Sequence, residues 1–217
     1  TEFANTWLLQ FDASGRNVLC RNIGTVDAGT DIHTTLITGN GQTLWVIGNG
    51  PATLTPPATL ADFEGTEYFA PETYTDEASI PLAGKVADVT VNRYGEVVTA
   101  DRTPVTVSLR RIAAKLSLTC TTTLSGYRIT GVELFNAPQR MYYAYRNTTG
   151  LVNTGAVAAG VVAGNTYTWF LGENLRGDGS STAQDARYAA KAPPSSTYIR
   201  ITLRSDDGYE TATYDIY

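Results

Sequence analysis

His33 is the only histidine in 217 residues, and it stands beside Asp31 in a threonine-rich stretch. A nucleophile–base–acid relay or a zinc site needs a histidine held by partners in space. The sequence advertises no such partner, so neither role is expected of His33. No G-x-S-x-G elbow, phosphate-binding glycine loop, H-E-x-x-H or paired C-x-x-C occurs in the chain.

Carboxylates are the remaining source of acid–base chemistry. Asp62, Glu64, Glu67, Glu72, Asp76 and Glu77 form a run without one base, inside a stretch from Pro51 to Pro81 that holds five of the nine prolines. A glycosidase pair is defined by spacing in three dimensions; a run in such a segment reads as a solvated loop. Asp206-Asp207-Gly208 and Asp178-Gly179-Ser180 have calcium-loop composition without the twelve-residue ligand pattern, and they read as hairpin turns. No catalytic, cofactor-binding or metal-ligating residue is assigned, and the expectation is a protein that is not an enzyme. Tyr142, Tyr143 and Tyr145 with Tyr127 could form an aromatic platform for a sugar or a protein, or simply pack in cores. Asn147-Thr148-Thr149 is a formal glycosylation sequon, a eukaryotic code given no weight.

Lys plus Arg number 16 and Asp plus Glu 21. This mildly acidic balance offers neither a general basic surface for nucleic acid nor a polybasic membrane patch. Charged residues are sparse at 17% of the chain, while Thr, Gly, Tyr and Ala abound, as in exported proteins rich in strands and turns. The single Met, at 141, and the lack of a basic-plus-apolar leader read as a processed or trimmed chain. No apolar run approaches the roughly 20 residues that span a bilayer. Cys20 and Cys120 lie a hundred residues apart, open to a disulfide or to two buried free thiols.

Period-two alternation recurs throughout, and helical spacing does not, so the class is all-β. Trp7, Leu9 and Phe11 share one face of a first strand, closed by a turn at Asp12-Ala13-Ser14-Gly15 and followed by a return strand over Asn17 to Arg21. Gly39-Asn40-Gly41 reads as a tight turn. Thr43 to Ile47 after it reads as a strand buried on both faces. The Pro51 to Pro81 connection is irregular, with one short helix near Leu60 to Glu64. Further strands are expected at Gly126 to Phe135, Met141 to Arg146, Thr166 to Leu171, Tyr198 to Arg204 and Thr211 to Tyr217, with an exposed loop over Gly177 to Pro194.

The segment Val105 to Cys120 is the most informative. Val105, Val107 and Leu109 place apolar side chains on odd positions; Ile112, Ala114, Leu116, Leu118 and Cys120 place them on even ones. A strand whose buried face changes sides must bulge or leave one core for another. The boundary between two domains of ordinary size is therefore set at Arg110-Arg111, giving residues 1–110 and 111–217. The second is expected to be incomplete at its C-terminus, with its last strand at an unprotected edge or paired with a separate segment. Residues 1–100 carry 12 acids and 4 bases, a net −8, and residues 101–217 carry 9 acids and 12 bases, a net +3. Opposite signs at the two ends suit head-to-tail contacts.

The ordered segments TWLLQFDASG, QTLWVIGNG, IPLAGKV, VSLRRIAAKLSL, LFNAPQRMYY, FLGENLRG and TYIRITLRSDDGYETATYDIY resemble the fimbrillins of the Bacteroidales, type V pilins of bacterial surface fimbriae. Leu109 to Leu118 and Phe170 to Gly177 are the most specific. The resemblance implies two tandem transthyretin-like β-sandwiches of immunoglobulin-like Greek-key type, export as a lipoprotein precursor and proteolytic removal of an N-terminal segment. It further implies polymerisation with other pilin subunits by donor-strand exchange, at the outer-membrane surface. The chain departs from the family pattern in having no lipobox cysteine and in stopping at Tyr217 where relatives continue into further strands. The alternative is a surface module that binds a host glycan or protein outside any polymer.

Overall fold

A computed structural model describes residues 1–66, 74–144, 152–174, 176 and 192–217. Almost all of the regular structure is antiparallel strand, as the period-two alternation requires, and the chain divides into two compact units. Of the described residues, the first unit holds 1–66, 79–112 and 142–144; the second holds 74–78, 113–141, 152–174, 176 and 192–217.

In the first unit, β1 (Glu2–Phe11), β2 (Asn17–Asp27), β3 (Gly39–Gly48), β4 (Leu82–Val91) and β5 (Val97–Val98) form one curled sheet in the order β2-β1-β3-β4-β5. A short β6 (Arg110–Arg111) also pairs with β4. The turn at Asp12 to Gly15 is tied by Asp12 Oδ1, which accepts from the Ser14 and Arg16 amides at 3.0 and 2.9 Å. β3 is central, and both of its faces are covered. Trp45 and Ile47 join Leu9, Phe11, Phe63 and Tyr143 on one side, while Leu44 joins Val89 and Val91 on the other.

The helix α1 (Leu60–Gly65) starts where Thr59 and Asp62 cap each other reciprocally, satisfying two backbone donors that a helix start leaves orphaned. Its one buried residue is Phe63. The Phe63 ring meets Trp45 edge-on at 5.3 Å and lies 6.0 Å from Phe11.

Two sequence readings are corrected here. Gly39-Asn40-Gly41 is not a turn but a bulged start of β3, where an extra residue is taken up at Gly41 with φ of 61°. β4, not recognised as a strand from its alternation, carries a second bulge beside Asp88, whose φ is 55°. The bulge reverses the parity of the strand: Val86 before it and Val89 and Val91 after it pack on the same cluster. Gly84 of β4 is required by a neighbour, because a Cβ there would come within 2.1 Å of the Ser108 carbonyl oxygen.

Across Val105 to Cys120 the inward side changes as the apolar parity does. Val105, Val107 and Leu109 are half-buried with exposed residues between them; beyond Arg110 and Arg111, both exposed, Ile112, Leu116 and Leu118 are half-buried and Cys120 is buried. Ala114 is the exception and is exposed.

The second unit is a sandwich of two three-stranded sheets. One has β7 (Ala114–Thr119), β11 (Val161–Ala163) and β12 (Thr166–Leu171) in the order β11-β12-β7. The other has β8 (Tyr127–Phe135), β13 (Tyr198–Ser205) and β14 (Thr211–Ile216) in the order β14-β13-β8. A two-residue pair, β9 (Ala137–Pro138) with β10 (Val152–Asn153), lies beside them. Leu116, Leu118 and Trp169 from one sheet meet Val132, Leu134 and Ile199 from the other in a single core. Over the described part of the strand expected at Met141 to Arg146 no strand forms: Tyr142 makes an isolated bridge and Tyr143 and Ala144 form a bend, while Tyr145 and Arg146 lie outside the described residues.

Candidate functional site

The two sheets of the second unit do not cover one another completely. In β14, Ile216 pairs across the strand with Ile199, Tyr214 with Ile201 and Ala212 with Leu203. Directly opposed residues share a face of the sheet, so Tyr214 and Ile216 point to the core side. Yet they are 56% and 47% exposed.

The space above them is a groove of about 600 Å³. Leu118 and Leu124 form one wall, and Ile129, Leu203, Tyr214 and Ile216 form the floor. Leu124, on the segment after β7, is 53% exposed. β7 pairs with β12 through the whole register Ala114 to Thr119 and has no strand on its other edge among the described residues. The end of that unpaired edge, Leu118 and Thr119, lines the groove together with the apolar floor. A strand has backbone donors and acceptors to match that edge, and alternate side chains to cover that floor.

Both ends of the surrounding sheet are fixed. At the hairpin between β13 and β14, Asp207 Oδ1 accepts from the Tyr209 amide at 3.1 Å and from the Ser205 hydroxyl at 2.5 Å; these bonds hold the Asp207 carboxyl below its usual range. Arg204 donates to the Gly208 carbonyl at 3.0 and 3.2 Å. The Tyr127 hydroxyl donates to the Glu210 carboxylate, which pushes the phenol up. At the other end, Asn174 donates to the Ser195 carbonyl at 3.0 Å and the Thr197 hydroxyl at 2.9 Å. Thr197 in turn donates to the Asn136 carbonyl at 2.9 Å. On the outer face, Arg200 meets Asp215 through two hydrogen bonds of 2.7 and 2.8 Å. Phe135, Tyr198 and Tyr217 stand stacked beside that pair at 5.1 and 4.9 Å.

The residues weighed for chemistry are dispersed. His33 and Asp31 are both exposed between β2 and β3. Asp62 is spent on capping α1, Glu64 pairs with Lys85 at 2.7 Å and Glu77 with Lys115 at 3.0 Å. Glu67 and Glu72 lie outside the described residues, as do Tyr145, Asn147-Thr148-Thr149, Asp178-Gly179-Ser180 and most of the Gly177 to Pro194 segment. Asp206-Asp207-Gly208 is the β13–β14 turn, and among the described residues no group of three or more His, Cys, Asp or Glu could hold a metal ion. Cys20 and Cys120 are free thiols in different units, both pushed up by burial.

Of the four tyrosines, Tyr143 takes the packing role, 3% exposed inside the core of the first unit; Tyr127 and Tyr142 are half-buried and Tyr145 lies outside the described residues. The sequence led to the expectation of an incomplete second domain with its last strand at an open edge, but assigned no residues to a groove. Its signal is the last strand, where Ala212, Tyr214 and Ile216 alternate with Thr213 and Asp215 as a buried strand would.

No family model matches the sequence, and no curated protein sequence matches it. Solved structures do share its fold. The tip fimbrial protein Mfa3 from Porphyromonas gingivalis, with a C-terminal truncation, superposes with a TM-score of 0.63 at 18% identity, over 98% of this chain and 75% of that one. A fimbrilin from Porphyromonas gingivalis W83 gives 0.54 at 13% identity, over 100% and 74%. A fimbrial assembly protein from Parabacteroides distasonis gives 0.53 at 14% identity, over 99% and 77%. The all-β sandwich architecture is thus the one seen in fimbrial proteins of the Bacteroidales.

Proposed function

We propose that this chain is a structural or adhesive subunit of a bacterial cell-surface fimbria, and that its role is assembly and not catalysis. In this reading the groove of the second unit is an acceptor. An extended segment of a neighbouring pilin subunit pairs with the free edge of β7 and lays alternate apolar side chains over Tyr214 and Ile216. The observation that carries it is that the apolar floor and the unpaired edge occur together, each being what a strand supplies. The fold shared with a tip fimbrial protein, a fimbrilin and a fimbrial assembly protein supports the same role.

The expected location is the cell surface, on the outer side of the outer membrane. No helix among the described residues is long and apolar enough to cross a membrane. The partners are other subunits of the same fibre, joined head to tail. Heterologous contacts of this kind propagate into filaments when they do not close into rings.

The test is association of the purified chain with itself and with co-purified subunits, read as a ladder on denaturing gels run without boiling. Tyr214→Lys and Ile216→Lys change exposed positions and place charges on the groove floor; each should shorten or abolish the ladder while the fold persists. A parent protein that forms no ladder with any subunit, or a ladder unaffected by both substitutions, refutes the reading.

A further inference from the structure

Between β2 and β3 the chain runs through residues 31–38 as Asp-Ile-His-Thr-Thr-Leu-Ile-Thr without joining any sheet. Its composition favours a strand, since Ile and Thr fit a pleated surface, so an unpaired course is unexpected. Over these eight residues the backbone makes two hydrogen bonds to described residues, and both go to one side chain. Gln10 Nε2 donates to the Ile37 carbonyl at 2.6 Å, and the Ile37 N–H donates to Gln10 Oε1 at 2.9 Å. The Gln10 amide thus does for one residue what a neighbouring strand does for many.

Gln10 itself is fully buried and is braced by Gln42, whose Oε1 accepts from the same nitrogen. Of residues 31–38, seven are exposed; Leu36 alone is half-buried, packed on the cluster of Leu44, Val89 and Val91. Gly29 and Gly41, with φ of 80° and 61°, flank the segment. They supply backbone turns that other residues resist.

We propose that residues 31–38 are a strap that opens as a unit from the second face of the first-unit sheet, with the Gln10 amide as its latch and Leu36 as its only apolar anchor. Ordering eight residues costs backbone entropy that two hydrogen bonds and one half-buried leucine offset only in part, which puts the strap at the low end of local stability. Opening removes Leu36 from the cluster of Leu44, Val89 and Val91, on which Val86, Val97 and Val105 also pack, and frees a strand-forming segment. The strap does not depend on the fimbrial reading, and that reading survives its failure.

The experiment is amide hydrogen exchange with limited thermolysin digestion on the purified chain. In the parent, the amides of residues 32–36 should exchange at near-intrinsic rates while Ile37 is protected and Leu9 and Val46 exchange slowest. Gln10→Met, which keeps volume and removes the latch, should speed Ile37 exchange about tenfold, as expected for loss of hydrogen bonds in this range. It should also raise cleavage beside Leu36 and Ile37. Leu36→Ala leaves Gln10 in place and should give the same rise in cleavage before Ile37, a site that this substitution retains, so the outcome stands even where the Gln10 variant fails to fold. Protection of residues 32–36 as strong as that of Val46 in the parent overturns the strap. So does unchanged cleavage before Ile37 in Leu36→Ala.

Discussion

Tyr143 lies face to face with Phe63, their ring centroids 5.7 Å apart and their planes 12° from parallel. The two rings come from segments separated by much of the chain, yet both belong to the core of the first unit. Residues 142–144 therefore complete a core whose strands were all laid down before residue 112. Tyr143→Ala should cost about 3 kcal/mol, the usual scale for emptying an aromatic site in a packed core. Amide exchange should quicken in β1 and β3 and leave β8 and β13 at the parent rate. Quickening in β13 with β3 unchanged would place Tyr143 in the wrong core.

The Arg200–Asp215 pair gives a pH dependence whose sign is fixed. The Arg200 guanidinium holds the Asp215 carboxyl below its ordinary value of 3.8, and partial burial opposes it. A carboxyl lowered in the folded state contributes stability above its unfolded value, and that contribution fades as pH falls through the folded one. With Asp215 24% exposed on its side chain, the pair should contribute about 1 kcal/mol. Urea midpoints of the parent and of Asp215→Asn should differ at pH 6 and converge below about pH 4. A difference that is constant from pH 6 to pH 3 contradicts the assignment.

Asn174 ties the segment after β12 to the start of β13 and supplies donors that Ala cannot replace. Asn174→Ala should cost about 1–2 kcal/mol, because partly buried acceptors lose their partner. The measured quantity is the denaturant midpoint, with the slope unchanged. Asn174→Asp keeps the size of the side chain and loses the donor, and should fall in the same range. Full stability in both variants would remove Asn174 from the framework.

The alternation of Trp7, Leu9 and Phe11 and of Ile199, Ile201 and Leu203 was enough to place β1 and β13, because in each these large apolar residues keep one parity along the strand. The two-faced burial of β3 and the short helix near Leu60 to Glu64 were equally legible. β4 was not, since the bulge at Asp88 moves its apolar residues from one parity to the other and erases the period. Tyr143 was not placed either: a single aromatic in a bend carries no periodic signal of the core it enters. The residues that line the groove escaped for a third reason. Tyr214 and Ile216 alternate as any buried strand does, and their exposure depends on how far β7 and β12 reach over β14, which only pairing in space decides.

The central claim is that the groove beside β7 receives a strand, and amide exchange of β7 before and after assembly tests it most directly. Alternate β7 amides bond to β12 and should be slow in both states. The others face the open edge; they should exchange rapidly in the monomer and become protected at least about a hundredfold in the ladder-forming oligomer, as paired backbone groups do. Oligomers in which those edge amides keep exchanging at the monomer rate would contradict the account.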